Sequence, residues 1–273
     1  MTHFPQKNYS NDCTIVVCSC DKYADLLKPF ATLWGKYWPD CPFPVVLVTE
    51  TSPQEQLCFN KVFACGTDGN WCSRLVSALR QIKTPYVLML CDDYYLSQQV
   101  NTKQICARLE LAQMHKASNL RLIPNPTPKP ANAVPFERGT DLWQYKPNTA
   151  YCIATQSGFW DRQFLMQLAE GKSSIWEFER YGSFDPLIGN RLLLVTPTKE
   201  FPFLDAVHKG YWEPWGLSVC RNNDIQIDQH ARTAPPLKIR LIEGLKGLIF
   251  ACIPNTWIVK IQNRFALGAK EKK

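Results

Sequence analysis

The stretch Tyr86-Val-Leu-Met-Leu-Cys91-Asp92-Asp93 contains the pattern that decides the fold. A nearly continuous apolar run is typical of a strand covered on both faces, as strands of parallel sheets are. Such a strand delivers its last residues to the carboxyl edge of the sheet, where open α/β folds bind ligands. Asp92 and Asp93 are therefore candidate site residues, because paired carboxylates suit a hard divalent cation held against a diphosphate. The alternative is a turn or helix-capping pair without a function.

The segments that precede this strand indicate the same architecture. Residues 13–19 and 43–49 are predicted to be buried strands, and apolar residues at helical spacing predict helices over 22–37 and 71–82. Three strands alternating with two helices favour an α/β fold with a mixed, mostly parallel sheet flanked by helices.

The rest of the chain continues the pattern around a proline-rich segment. Residues 124–135 contain five prolines, which predicts an extended loop that is either a lid or binding surface or simply a linker. A helix and a strand are predicted before this loop, and a strand and two helices after it, over residues 102–116, 120–123, 149–155, 160–169 and 174–181.

Composition excludes several protein classes. A chain of 273 residues with 45% hydrophobic content and nine Trp can bury a sizeable core, which rules out disordered, fibrous and disulfide-rich miniproteins. The twelve Cys are scattered through apolar runs, which is typical of reduced core residues in a cytoplasmic protein. The N-terminus lacks the apolar run of a signal peptide, and no stretch is long enough to predict a membrane span.

The positive charge is concentrated at the C-terminus. Residues 237–273 contain eight basic and two acidic residues, which accounts for +6 of the net +7. We therefore predict a domain over 1–236 and a basic amphipathic helical tail over 237–273, which either packs on the domain or lies on an anionic membrane. A nucleic-acid partner is not expected, since basic residues are not spread over the folded part.

Two glutamates in the second half are candidate site residues. The segment Ser173-Ser-Ile-Trp-Glu-Phe-Glu-Arg-Tyr-Gly-Ser183 places Glu177 and Glu179 at the start of a predicted helix. A separation of two residues turns the side chains by about 200°, so both cannot face one site in the same way. Glu177 also completes a capping box with Ser174, which is its structural alternative.

These motifs together resemble the GT-A glycosyltransferases. In that family an apolar strand ends in a D-x-D or related acidic motif that binds a metal and the donor diphosphate. The resemblance covers most of residues 12–215 and is closest to bacterial and phage-type enzymes that build surface polysaccharide and carry a W-E-F-E-like segment. It implies a GT-A-type fold, a nucleotide-sugar donor, Mn²⁺ or Mg²⁺ as cofactor, Asp93 as metal ligand and Asp92 as its partner in donor binding. Cys91 departs from the three acidic positions of many members.

The segment His208-Lys-Gly-Tyr-Trp-Glu-Pro-Trp215 extends the resemblance. It is similar to the H-x-x-G-x-x-K-P-W segment of glycogenin-type enzymes, which implies a metal-binding role for His208. Glu213 stands where that family has its Lys, so Lys209 is the candidate for the cation that contacts the diphosphate. A structural role for His208 is the alternative.

Three further residues are candidates for donor binding. Arg74 is nearer the sheet edge than Arg80 and presents a planar fork that fits phosphate oxygens, although a solvated arginine is equally compatible with the pattern. Ser19 and Asp21 follow the first strand, where GT-A folds hold the nucleobase and ribose. Asp21 is alternatively a helix cap.

The function expected from the sequence is glycosyl transfer from a nucleotide sugar to a polysaccharide, lipopolysaccharide or lipid-linked glycan, at the inner face of the cytoplasmic membrane. This transfer needs a carboxylate base, for which Glu177 and Glu179 are the candidates, followed by Asp205 and Asp141. A glutamate base favours inversion at the anomeric carbon. One alternative is a sugar-phosphate nucleotidyltransferase, although residues 19–23 lack the Gly-rich loop of that class. The other is a non-catalytic membrane-associated sugar-binding or scaffold protein.

Overall fold

The computed structural model describes residues 7–228 and 231–233. Nine strands form the central sheet: β1 (Cys13–Cys18), β2 (Val45–Thr49), β3 (Lys61–Ala64), β4 (Tyr86–Cys91), β6 (Asn119–Arg121), β7 (Ala133–Pro135), β8 (Trp143–Tyr145), β9 (Gly158–Asp161) and β10 (Leu193–Val195). Four short strands lie outside it: β5 (Tyr94–Leu96), β11 (Phe203–Asp205), β12 (Val207–His208) and β13 (Tyr211–Trp212).

Six α-helices accompany the strands in the described part of the chain. They are α1 (Leu27–Tyr37), which continues a 3-10 helix (Asp21–Leu26), α2 (Trp71–Gln81), α3 (Thr102–Met114), α4 (Arg162–Ala169), α5 (Ile175–Gly182) and α6 (Pro214–Asn222). No helix among these residues is long and apolar enough to cross a bilayer.

The strand order of the central sheet is β3-β2-β1-β4-β9-β6-β10-β8-β7. The pairings place seven strands in one direction, and only β9 and β8 run against them. The predicted mixed, mostly parallel α/β sheet is therefore confirmed. Because β1, β2 and β4 are parallel neighbours, the residues that follow them meet at one edge of the sheet.

The buried strands divide the core into two layers. Ile15 and Val17 of β1 face the cluster that contains Trp34 and Trp38, whereas Val16 and Cys18 face the cluster that contains Leu75 and Trp160. A strand covered on both faces needs apolar residues at every position, which explains the absence of alternation in β1 and β4.

Three predicted segments differ from the structure. Residues 149–155 form turns and bends, since Tyr151 and the preceding Asn148 both have φ 58°, which is incompatible with a strand. The helix predicted over 160–169 begins at Arg162, because Trp160 belongs to β9 and Asp161 caps the helix. The proline-rich loop ends in a strand, β7, which pairs with β8.

The C-terminal tail lies outside the described residues. This applies to all of residues 237–273, and hence to the predicted amphipathic helices and the membrane contact.

Candidate active site

Asp92 and Ser19 meet at the carboxyl edge of the sheet. Asp92 and Asp93 form the turn between β4 and β5, and Ser19 follows β1, which is the parallel neighbour of β4. The Ser19 hydroxyl donates to Asp92 Oδ2 at 2.5 Å. Burial raises the pKa of Asp92 to about 7 and the charge of Asp25 adds to this, while the Ser19 hydrogen bond opposes it. The structure thus brings two predicted donor-binding residues together.

A third carboxylate joins this edge. Strand β11 pairs with β5 and places Asp205 opposite Tyr94, the residue after Asp93. The Ala206 N–H also donates to the Asp93 carbonyl at 2.8 Å. Burial, followed by the charges of Asp92 and Asp205, raises the pKa of Asp93 well above its usual range. The charges of Asp92 and Asp205 therefore disfavour the ionised form of Asp93 at this edge.

Arg232 lies beside these carboxylates. Its Nε and Nη2 donate to both oxygens of Asp25 at 2.8 Å, and Nη2 also donates to the Lys22 carbonyl. The guanidinium lies 4.1 Å from the Tyr23 ring centre. Its positive charge lowers the pKa of Asp92 and of Asp93, against the larger effect of burial. Arg232 was not predicted from the sequence, because nothing in residues 231–236 indicates a contact with Asp25, 207 residues earlier.

The predicted donor residues Arg74 and Asp21 are joined through Glu50. Arg74 Nη1 donates to Glu50 Oε1 at 2.9 Å, and the Asp21 N–H donates to Glu50 Oε2 at 2.8 Å. Asp21 Oδ1 accepts from Thr51 N and Oγ1, both at 3.0 Å. Asp21 therefore ties the loop after β1 to the loop after β2, and does not cap the helix, whose N-cap is Cys20. Glu50 directly follows β2. Because residues that follow parallel strands meet at the carboxyl edge of the sheet, the argument that predicted Asp92 also applies to Glu50.

The two candidate bases occupy different surroundings. Glu177 accepts from the Ser173 N–H at 2.6 Å and from the Ser173 hydroxyl, and its own N–H donates to Ser174 Oγ at 3.1 Å. These are the contacts of a helix start, so the capping alternative describes its position. The pKa of the Cys72 thiol in α2 is raised to about 11, mainly by burial and to a smaller extent by the negative charge of Glu177.

Glu179 lies towards the acidic edge, the sheet edge that carries Asp92, Asp93 and Asp205. Its Oε1 accepts from Thr155 N at 2.8 Å and from Thr155 Oγ1 at 2.6 Å. The pKa of Cys91, at the end of β4, is raised by burial, then by Asp93, and further by Glu179. Of the two glutamates, Glu179 is thus the one that shares the neighbourhood of the aspartate pair.

His208 and Lys209 lie in the β12–β13 hairpin. Both side chains are exposed, and Lys209 and Gly210 form the turn with φ 53° and 83°. Loss of water raises the pKa of Asp205, and the charges of Lys199 and His208 lower it. His208 therefore adjoins the acidic edge through Asp205. Asp141, the other reserve base, is instead bound by both Nη atoms of Arg108 at 2.7 Å.

The acidic edge has the donor chemistry that Mg²⁺ and Mn²⁺ prefer, namely carboxylate oxygens whose mutual repulsion a cation would relieve. Among residues 7–228 and 231–233, no three His, Cys, Asp or Glu side chains group closely enough to hold a metal by themselves. Mg²⁺ bound with a nucleotide commonly takes only one or two carboxylates from the protein and its remaining ligands from phosphate and water. Asp93 and Asp92 are the residues that would hold it.

No protein-family model and no curated protein matches the chain. Several solved structures have a similar fold. TarS 1–349 of S. aureus is 14% identical with a TM-score of 0.45, over 70% of this chain and 59% of TarS 1–349. The chain thus spans less than two thirds of that structure.

Two other solved structures are similar over more of their length. The mannosyltransferase PcManGT of Pyrobaculum calidifontis, in complex with GDP-Man and Mn²⁺, is 11% identical with a TM-score of 0.47, over 95% of this chain and 86% of its own. A CMP:2-keto-3-deoxy-manno-octonic acid synthetase in complex with CTP is 12% identical with a TM-score of 0.44, over 77% of this chain and 97% of its own. A likeness this remote does not identify the reaction or the substrate.

Proposed function

We propose that the chain is a glycosyltransferase that uses a nucleotide-sugar donor. One observation carries the proposal: the turn Asp92-Asp93 at the carboxyl end of β4, where Ser19, Asp205 and Arg232 adjoin it. Carboxylates for a cation, together with a guanidinium, are what a nucleoside diphosphate requires for binding. The position at the carboxyl edge of a mostly parallel sheet is where such folds bind nucleotides.

The proposed division of roles follows the contacts. Asp93 and Asp92 would hold the donor diphosphate through a divalent cation, while Arg232, which is bonded to Asp25, adds positive charge beside the same edge. A bound Mn²⁺ or Mg²⁺ neutralises charge on the departing diphosphate. Arg74 is occupied by Glu50, so we assign it, with Asp21, to the nucleoside side of the donor. His208 and Lys209 flank the edge at the hairpin and remain candidates for metal and diphosphate contact.

Glu179 is the proposed general base. It accepts the proton of the acceptor hydroxyl while that oxygen bonds to the anomeric carbon and the bond from this carbon to the diphosphate oxygen breaks. Attack opposite to the leaving group inverts the configuration. The support is the position of Glu179 near Cys91, which directly precedes the aspartate pair, and the engagement of Glu177 at the helix start.

The acceptor is proposed to be a surface polysaccharide, lipopolysaccharide or lipid-linked glycan, reached at the inner face of the cytoplasmic membrane. The membrane location is supported by the charge of +6 in residues 237–273, which favours an anionic lipid surface. The acceptor class is the one implied by the resemblance of the W-E-F-E-like segment to enzymes that build surface polysaccharide.

A thermal-shift screen tests donor binding. UDP, GDP, CDP, ADP and dTDP are added to the full-length protein with and without Mn²⁺. A ligand at 100 times its Kd stabilises the folded state by about 2.7 kcal/mol, so at least one nucleotide is expected to raise the Tm, and more so with Mn²⁺.

The matched control for this screen is a second aspartate. Asp161 caps α4 and pairs with Tyr86 at the opposite edge of the sheet, so Asp161→Asn keeps the shift whereas Asp93→Asn loses it. No shift with any nucleotide would argue against the proposal. Release of pyrophosphate from a nucleoside triphosphate and a sugar phosphate would instead make the chain a nucleotidyltransferase.

A further inference from the structure

An irregular segment before β9 borders the candidate site. Strand β9 runs antiparallel to β4, and its first residue, Gly158, pairs with Met89 near the carboxyl end of β4. Residues 149–157, which precede it, therefore lie at the same edge as Asp92. Most of this segment is buried although it is neither helix nor strand. Buried backbone of this kind persists only when its polar groups find partners.

The partners come from β6 and from the end of α5. The Arg121 guanidinium donates to the Tyr151 carbonyl at 2.9 Å and to the Cys152 carbonyl at 2.7 Å. The Ile153 N–H donates to Ser183 Oγ at 3.0 Å. A Cβ at Gly182 would lie only 2.8 Å from the Ile153 side chain, so the segment and the helix end are in close contact. The segment is thus fixed before it reaches Thr155.

Thr155 connects Glu179 to the turn formed by Asp92 and Asp93. Its N–H and its hydroxyl both donate to Glu179 Oε1, while its carbonyl accepts from the Tyr94 hydroxyl at 3.3 Å. Tyr94 directly follows Asp93 and stacks on Phe203 with ring centres 4.0 Å apart. Thr155 is 5% exposed, so water does not compete for these bonds.

We propose that Thr155 is a positioning residue for the base Glu179. Two donors on one oxygen fix the rotamer of the carboxylate and direct Oε2 to the proton of the incoming hydroxyl. Among the described residues, Oε2 has no hydrogen-bond partner of its own. The inference rests on the proposed function, because it assigns Glu179 the proton transfer.

The test is steady-state hydrolysis of the nucleotide sugar that the full-length protein turns over, with water as acceptor. Thr155→Val removes the hydroxyl and keeps the N–H bond. We expect kcat to fall about 10- to 100-fold, as a misplaced catalytic group implies, while the donor KM stays within about twofold, because the proposed role of Thr155 is to hold Glu179 and not to bind the donor. Thr155→Ser restores the hydroxyl and is expected to recover most of kcat.

Thr149→Val is the matched control. Thr149 lies in the same segment with similar burial, but its hydroxyl donates to the carbonyls of Asn132 and Lys146, not to α5. It is expected to lower the Tm without lowering kcat. Thr155→Ala, which puts no methyl group against the carboxylate, replaces Thr155→Val if the latter does not fold.

A double variant tests whether Thr155 acts through Glu179. In a Glu179→Gln background, Thr155→Val is expected to reduce kcat no further, because it acts through the lost carboxylate. Equal losses of kcat in the Thr149 and Thr155 variants, a change confined to KM, or full additivity with Glu179→Gln would overturn it. Absence of hydrolysis by the wild type with every nucleotide sugar would instead refute the proposed function, and the inference with it.

Discussion

At the scale of single residues, the two glutamates of α5 show how neighbouring carboxylates acquire different tasks. Glu177 bonds to Ser173 and Ser174 at the start of the helix, and Glu179 bonds to Thr155 at the site edge. The rotation of about 200° between them separates these partners.

Substitution of each glutamate by glutamine is expected to give contrasting results. Glu179→Gln loses at least about 100-fold in turnover, since a general base is removed, and keeps its Tm within a few degrees. Glu177→Gln keeps its turnover and loses about 1 kcal/mol or less of unfolding free energy, because an amide still accepts the N–H of Ser173. Paired activity and urea-unfolding measurements check this. Similar turnover in the two variants would place the base elsewhere, with Asp205 next.

At the scale of elements, a buried arginine organises the loops around β6. Arg121 is fully buried, and its guanidinium donates to the carbonyls of Asn125, Tyr151 and Cys152. It thereby joins the start of the proline-rich loop to the segment that carries Thr155. Within residues 7–228 and 231–233, no helix or strand supplies N–H donors to these carbonyls, and the planar guanidinium with its several N–H groups supplies them instead.

Loss of this guanidinium is expected to destabilise the protein strongly. Arg121→Met leaves the buried Cys152 carbonyl without its donor, at about 1–3 kcal/mol, and removes the partly buried bonds to Asn125 and Tyr151, at about 1 kcal/mol each. We therefore expect a loss of at least about 2 kcal/mol in urea unfolding. Arg121→Lys recovers little, since one ammonium cannot reach all three.

The control for Arg121 is an exposed arginine. Arg80 forms a surface ion pair with Glu170, and Arg80→Met is expected to change the unfolding free energy by about 0.5 kcal/mol or less. Equal effects of the two arginine substitutions would contradict the organising role of Arg121.

At the scale of the whole molecule, the sequence predicts the strands that arise from local apolar patterns but not the contacts between distant segments. The continuous apolar runs of β1 and β4 depend only on neighbouring residues, and these runs suffice to predict that Asp92 and Ser19 lie at one sheet edge. Arg232 could not be found in this way, since its partner Asp25 is 207 residues away. Thr155 was also missed. The positive φ of Tyr151 interrupts the expected strand, and an apolar pattern does not report such a backbone angle.

The basic tail yields a prediction for the intact chain. Full-length protein is expected to sediment with phosphatidylserine-containing liposomes at low salt and to be released as salt rises, because charge attraction is screened within about 8–10 Å. Replacement of Lys260, Arg264, Lys270, Lys272 and Lys273 by Gln removes about 1 kcal/mol each and should keep the protein in the supernatant. Binding that is unaffected by these changes would argue against electrostatic attachment.

Asp92-Asp93 is proposed to be the catalytic edge of a nucleotide-sugar enzyme. Its most direct test is the hydrolysis or transfer rate measured with nucleotide sugars for wild type, Asp93→Asn and the control Asp161→Asn, each with Mn²⁺ and with EDTA. We predict that wild type and Asp161→Asn turn over the donor and lose activity in EDTA, while Asp93→Asn is folded and at least about 100-fold slower. Near-normal turnover by Asp93→Asn, or a wild type indifferent to EDTA, would contradict the account.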